Sequence, residues 1–85
     1  MDSYVYANVT AVEAAVSGSA TLNFVWKSRS ILIMNDSSTV DIDVYINGGG
    51  PLSLLALETM TGPIWTRSIR VSAPSSANVR AWAYG

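Results

Sequence analysis

Residues 40–47 alternate without interruption: Val40, Ile42, Val44 and Ile46 share one parity, and Asp41, Asp43, Tyr45 and Asn47 the other. Wound into a helix, this pattern would scatter its apolar side chains around the whole circumference. In a strand, successive side chains point to opposite faces, so one face becomes apolar and the other wet. A slip of one residue would turn every apolar side chain to water, so the segment anchors a sheet in one register.

Neighbouring segments follow the same period. Ser30-Ile31-Leu32-Ile33-Met34 is a β-branched apolar run that meets the turn formers Asn35-Asp36-Ser37-Ser38-Thr39, so a hairpin is expected over residues 29–47. Gly48-Gly49-Gly50-Pro51 turns the chain, Leu52-Ser53-Leu54-Leu55 resumes as a short strand, and residues 56–63 read as a connector broken at Gly62-Pro63. Ile64, Trp65 and Thr66 start the return. A second hairpin is expected from Ser68-Ile69-Arg70-Val71-Ser72, a turn at residues 73–77, and an alternating strand over residues 78–84. Thr21-Leu22-Asn23-Phe24-Val25-Trp26 is strand-like. Residues 11–16 read either as one or two helical turns ended by Gly18 or as part of a strand. Residues 1–18 are accordingly either the first strand or an N-terminal arm that packs on a neighbouring subunit. The expectation is all-β: one domain over residues 1–85, a small antiparallel β-sandwich or jelly-roll-like barrel.

A chain of 85 residues has a thin core of its own. It holds no Cys and no His, which removes disulfides and the usual zinc ligands together and leaves oligomerisation as the common route to further burial. Charged residues are 13%, about half the usual share, and twelve Ser, six Thr and five Asn take their place. Interface centres are depleted in Lys, Glu and Asp, so an under-charged exterior suits a subunit of an assembly. The five Lys and Arg are never adjacent and the net charge is −1, which argues against a nucleic-acid partner. No apolar run has the length of a membrane span and no leader pattern opens the chain, so a product made in the cytoplasm is expected, with no membrane partner.

Catalysis finds little to work with. Without His or Cys the usual nucleophile and base arrangements are impossible, and Lys27 is the single lysine. Asp41 and Asp43 lie two apart, a spacing that suits a pair of acid and base groups or calcium ligands, but they also sit at the wet positions of an alternating strand. The glycine triplet lacks the Lys-Ser or Lys-Thr of a phosphate-cradling loop. No enzymatic activity and no cofactor or metal are expected. The last strand carries the more telling pattern: Arg80, Trp82 and Tyr84 share a face opposite Val79, Ala81 and Ala83, so both faces are partly apolar. Trp, Tyr and Arg concentrate at the energetic centres of interfaces, which makes Arg70, Arg80, Trp82 and Tyr84 a candidate protein interface. In a simple hairpin Arg70 would face Arg80; a shift of register by two would instead stack it on Trp82, or Asp41 or Asp43 would separate the pair.

From residue 28 onward the order of parts is Ile31-Leu32-Ile33-Met34-Asn35-Asp36, the alternating residues 40–47, Gly48-Gly49, Leu55-Ala56-Leu57-Glu58-Thr59, Arg67-Ser68-Ile69-Arg70-Val71 and Val79-Arg80-Ala81-Trp82-Ala83. In this order the chain resembles small β-sandwich virion structural proteins of tailed bacteriophages, especially capsid decoration, or cement, proteins. The resemblance implies a non-enzymatic homo-oligomer, often a trimer, that binds the major capsid protein on the outside of the virion and stabilises the head. It also leaves open a tail, collar or head-fibre module. Outside phage particles, a carbohydrate-binding β-sandwich is the rival expectation from the aromatic residues.

Overall fold

The computed structural model describes residues 9–85, with side chains from residue 14 onward. Six strands form: β1 (Val9–Asn23), β2 (Ser30–Asn35), β3 (Ile42–Ile46), β4 (Gly49–Leu54), β5 (Thr59–Gly62) and β6 (Ser68–Tyr84). All pair antiparallel in one sheet of order β4-β3-β6-β2-β5, with β1 along the opposite edge of β6. Among the described residues there is no helix.

The sheet is curled because its long elements share a bend. β2 and β3 lie end to end on one edge of β6, where Asn35 faces Val79 and Asp43 faces Ser72. β5 and β4 flank them in the same way. The chain changes direction at the loops over residues 36–41 and 55–58, and β1 and β6 change direction beside them. There Val16 faces Ala77 and Gly18 faces Ala73, so Pro74, Ser75 and Ser76 stand against Ser17 alone. This bulge bends β6 and adds twist. Pro74 sits in it because a proline has no N–H to give to a regular ladder, and Gly18 adopts φ +85, a left-handed value cheap only for glycine. Two leaves result, one from β4, β3 and the first half of β6, the other from β5, β2 and its second half. They close into a half-barrel.

Between the leaves lies the core. Every second residue points into it: Ile31 and Ile33 from β2, Ile42 and Val44 from β3, Ile69, Val71, Val79, Ala81 and Ala83 from β6, and Val16 and Leu22 from β1, all buried. Ala73 and Ala77 flank the bend, where a bulky side chain would prop the leaves apart. The inward parity read from residues 40–47, 68–72 and 78–84 is the observed one.

Of the buried polar side chains among the described residues, Ser28, Asn35 and Thr66, one sits at the corner of the core. Asn35, the last residue of β2, is fully buried. Its Nδ2 donates to the carbonyls of Val40 (2.8 Å), Leu55 (3.1 Å) and Leu54 (3.2 Å), while its Oδ1 accepts from the Ser37 N–H at 3.0 Å. Its own N–H donates to the Glu58 carbonyl, and Leu57 N–H to the Ser37 carbonyl. A single amide thereby stitches both corner loops together. Beside it, the Asp36 N–H reaches the Asn78 carbonyl and the Asp36 carboxylate takes two hydrogen bonds from Arg80, Nη2 to Oδ1 being 2.9 Å. Those bonds are the largest influence and hold the Asp36 carboxyl below its ordinary value of 3.8; burial opposes them, and the charge of the same guanidinium adds a smaller lowering effect.

Several expectations change. Residues 11–16 are strand, not helix, and belong to β1; the question of an arm remains only for residues 1–8, which lie outside the described residues. Neither expected hairpin forms. β2 and β3 do not pair with each other, because both are taken by β6, and residues 68–84 run on as a single bent strand. The connector over residues 56–63 contains β5, and residues 64–66 are loop. β1 stops at Asn23, so Phe24 to Trp26 leave the strand.

Asn35→Ala leaves buried carbonyls without a donor and is expected to cost about 3 kcal/mol, read as a lower urea midpoint, whereas Ser38→Ala on the exposed loop stays within about 0.5 kcal/mol. Asp36 has a depressed carboxyl pKa, so its contribution is present above the unfolded value and is lost as pH falls through the folded one. Wild type should therefore lose more stability than Asp36→Asn as pH falls from about 5 to about 2, measured by thermal unfolding across that window.

Candidate functional site

With the inward face filled by aliphatic side chains, functional groups have the outer face, the loops and the sheet edges. Among the described residues no His, Cys, Asp and Glu group is placed to hold a metal ion. Asp41 is committed to the corner, its Oδ1 accepting the Ala56 N–H at 2.9 Å, and Asp43 is half-buried on β3 opposite Ser72. The two carboxylates are thus held by different elements, with no shared partner. The glycine triplet is a hairpin connection: Asn47 (φ 52) and Gly48 (φ 76) form the tight turn between β3 and β4. Gly50 follows at φ +122, where a Cβ would stand 2.9 Å from the Val44 carbonyl oxygen.

Arg70, Arg80, Trp82 and Tyr84 all project from the outer face of β6, but on different leaves. Arg80 belongs to the corner, bonded to Asp36 and to Met34 Sδ, with its guanidinium 5.3 Å from the Trp82 ring centroid. Trp82 and Tyr84 are half-buried beside it. Arg70 lies ten residues earlier, on the far side of the bend. It faces Tyr45 on one side and Thr21 on the other, so the expected encounters with Arg80 or Trp82 do not arise. The carboxylate between the two arginines is absent for the same reason, and Asp36 pairs with Arg80 instead.

Arg70 has a more particular setting. Its guanidinium lies over the Tyr45 ring, 3.9 Å from the centroid, and Nη1 reaches Ser19 Oγ at 3.4 Å. Around it Thr21, Ser68, Tyr45, Asn47, Thr66 and the segment 48–51 line an open depression of about 500 Å³. One wall is fixed by Asn47 Nδ2 donating to the Trp65 carbonyl (2.9 Å). Nothing in the pattern of residues 21, 45, 68 and 70 announces this site; it needs the register of three strands.

The loops over residues 24–29 and 63–67 are bonded to each other, Ser28 N–H to the Thr66 carbonyl at 2.7 Å and Ser28 Oγ to the Ile64 carbonyl at 2.6 Å. They bring Val25, Trp26 and Trp65 to one exposed end of the molecule, with Lys27 Nζ 5.5 Å from the Trp65 centroid. Trp82 is not part of it. A further feature is the outer edge of β1, which runs beside β6 for its whole length and has no other strand against it among the described residues.

No protein-family model matches the sequence, and no curated protein does. Solved structures do match in shape. A conserved Pseudomonas aeruginosa protein of unknown function superposes with a TM-score of 0.65 at 18% identity, over 89% of this chain and 39% of that one. A cupin-2 domain containing protein from Shewanella frigidimarina gives 0.61 at 8% identity, over 96% of this chain and 76% of that one. An RmlC-like cupin from Desulfovibrio desulfuricans gives 0.64 at 12% identity, with the same shares of 96% and 76%. The chain thus spans well under half of the first of these and about three quarters of the other two. These likenesses overturn the resemblance to phage virion proteins, whose quoted segments are ordinary sheet chemistry that a curled sheet of another kind also uses. Capsid decoration, head stabilisation and the tail, collar or fibre alternative go with it; the capsid partner, the trimer and the virion location lose the resemblance they rested on. What the likeness establishes is the fold: an all-β, antiparallel curled sheet of cupin-like jelly-roll shape.

Proposed function

We propose that this chain is a non-enzymatic module that works by pairing with a second copy of itself along β1. The observation that carries the reading is the state of the sheet's three edges. β5 is four residues long, and β4 contains Gly49, Gly50, Pro51 and a register shift, so both have the features that keep an edge from recruiting another strand. β1 has fifteen residues, no proline and one charged residue, Glu13. Its bulge at Ser17 divides the edge, and on either side of it no described strand takes up the outward N–H and C=O groups.

A second copy is the natural occupant. An antiparallel strand pair has twofold symmetry, so the same edge on each chain satisfies the other. The exposed side chains along it, Ala15, Ser17, Ser19, Thr21 and Asn23, are small and uncharged, and place nothing bulky or repulsive in the way. The pairing would also extend a sheet whose own core is thin. Such an assembly is a dimer in place of the trimer that the phage resemblance implied.

The test is the mass of the particle as concentration changes. Light scattering and sedimentation are expected to give a dimer at about 100 µM, with a melting temperature that rises with protein concentration. Ala15→Lys with Ser17→Lys adds guarding charges at exposed positions and should give a monomer whose far-ultraviolet circular dichroism is unchanged. A wild-type monomer at that concentration, or a dimer indifferent to both lysines, overturns the proposal.

A further inference from the structure

A second feature points to a ligand of its own. The depression around Arg70 is lined by Thr21, Tyr45, Asn47, Thr66 and Ser68 and by the backbone of residues 48–51, and no Asp or Glu contributes to it. Arg70 is exposed, and among the described residues no carboxylate pairs with it; the ion pair of β6 belongs to Arg80. Asp43 lies on the same outer face, opposite Ser72, but not in the lining, so the charged side chain in the depression is a cation with hydroxyl and amide neighbours, a setting that favours an anion.

Arg70 is also held. Stacking on Tyr45 at 3.9 Å restrains the plane of the guanidinium, and Nη1 donates to Ser19 Oγ at 3.4 Å, so the group is held at two points. A planar fork with its orientation already set loses little freedom on binding, which favours a partner with two acceptor oxygens. The Thr21 and Ser68 hydroxyls stand on the strand and in the row beside it, supplied by register: Thr21 faces Arg70 across β1 and β6, and Ser68 lies two residues away on the same face. Gly50 keeps the rim low, since a side chain there would meet the Val44 carbonyl.

From this geometry we infer that the depression on the outer face is a binding site for a phosphate- or sulfate-type oxyanion, with Arg70 as the bidentate donor and the Thr21 and Ser68 hydroxyls as auxiliary donors. Tyr45 is a positioning residue that acts through the guanidinium. The site does not depend on pairing through β1, because its donors come from a single copy, so a monomer retains it.

The experiment uses the full chain, labelled for amide NMR and titrated with inorganic phosphate, sulfate and acetate at constant ionic strength, with sodium chloride as the screening control. Phosphate and sulfate should saturate with dissociation constants of about 1 to 10 mM and move the amides of residues 48–50 and 68–70. Arg70→Gln should weaken binding about tenfold or more, and Arg70→Lys several-fold, since lysine keeps the charge and loses the fork. Tyr45→Leu should weaken it with the charge intact. Overturning results are equally direct: shifts that chloride reproduces, acetate bound more tightly than both tetrahedral anions, shifts centred on Arg80 or Lys27, or unchanged affinity in Arg70→Gln. Each variant's melting curve shows whether it is folded, and Arg70→Lys keeps the test valid if Tyr45→Leu is not.

Discussion

The half-barrel turns on the buried amide of Asn35. An extended sheet that folds over itself must turn its two middle elements through the bend side by side, and there the carbonyls of Val40 and Leu55 lie just outside the paired strands and that of Leu54 at the end of β4. Asn35 answers Val40, Leu54 and Leu55 with one NH2 group and Ser37 with its carbonyl oxygen. In a water-free corner each such group would cost on the order of 1 to 3 kcal/mol if left unmade. The side chain is thus where the loop over residues 36–41 is fastened to the loop over residues 55–58, and where the two leaves are set at a fixed angle.

On that corner depend the positions of both outer-face arginines. Because β6 bends there, its outward residues before and after the bend serve different leaves. Arg80 is drawn to Asp36, the residue next to the corner amide, and acts as a tie between β6 and the loop. Arg70, on the other leaf, meets only an aromatic ring and hydroxyls. Two arginines of equal parity on one strand therefore do different work: one closes a structural contact and the other is left with a free donor edge above a depression.

The same geometry explains why function is sought outside the barrel. Among the described residues the inner face is packed with Ile, Val, Leu and Ala, and the buried amide of Asn35 is spent on backbone carbonyls. Two of the three superpositions described above are with cupin proteins, at 8% and 12% identity, so what is shared with them is the shape. The two surfaces proposed for recognition are the edge of β1 and the depression built by register across β1, β6 and β3.

The strand class and the inward parity of residues 40–47, 68–72 and 78–84 were legible in the sequence, because side-chain alternation is a local property of an extended backbone. Strand partners were not. Turn formers at residues 35–39 and 73–77 read as hairpin turns, yet the first became a corner between two strands on the same edge of β6 and the second a bulge within it, since both choices depend on a distant strand offering a ladder. Arg70, Arg80, Trp82 and Tyr84 could be chosen by type and face from the sequence alone. Which of the two arginines has a carboxylate neighbour, and which stands over Tyr45 beside Thr21, was decided only when the bend at Asn35 and Pro74 brought residues from separate strands together.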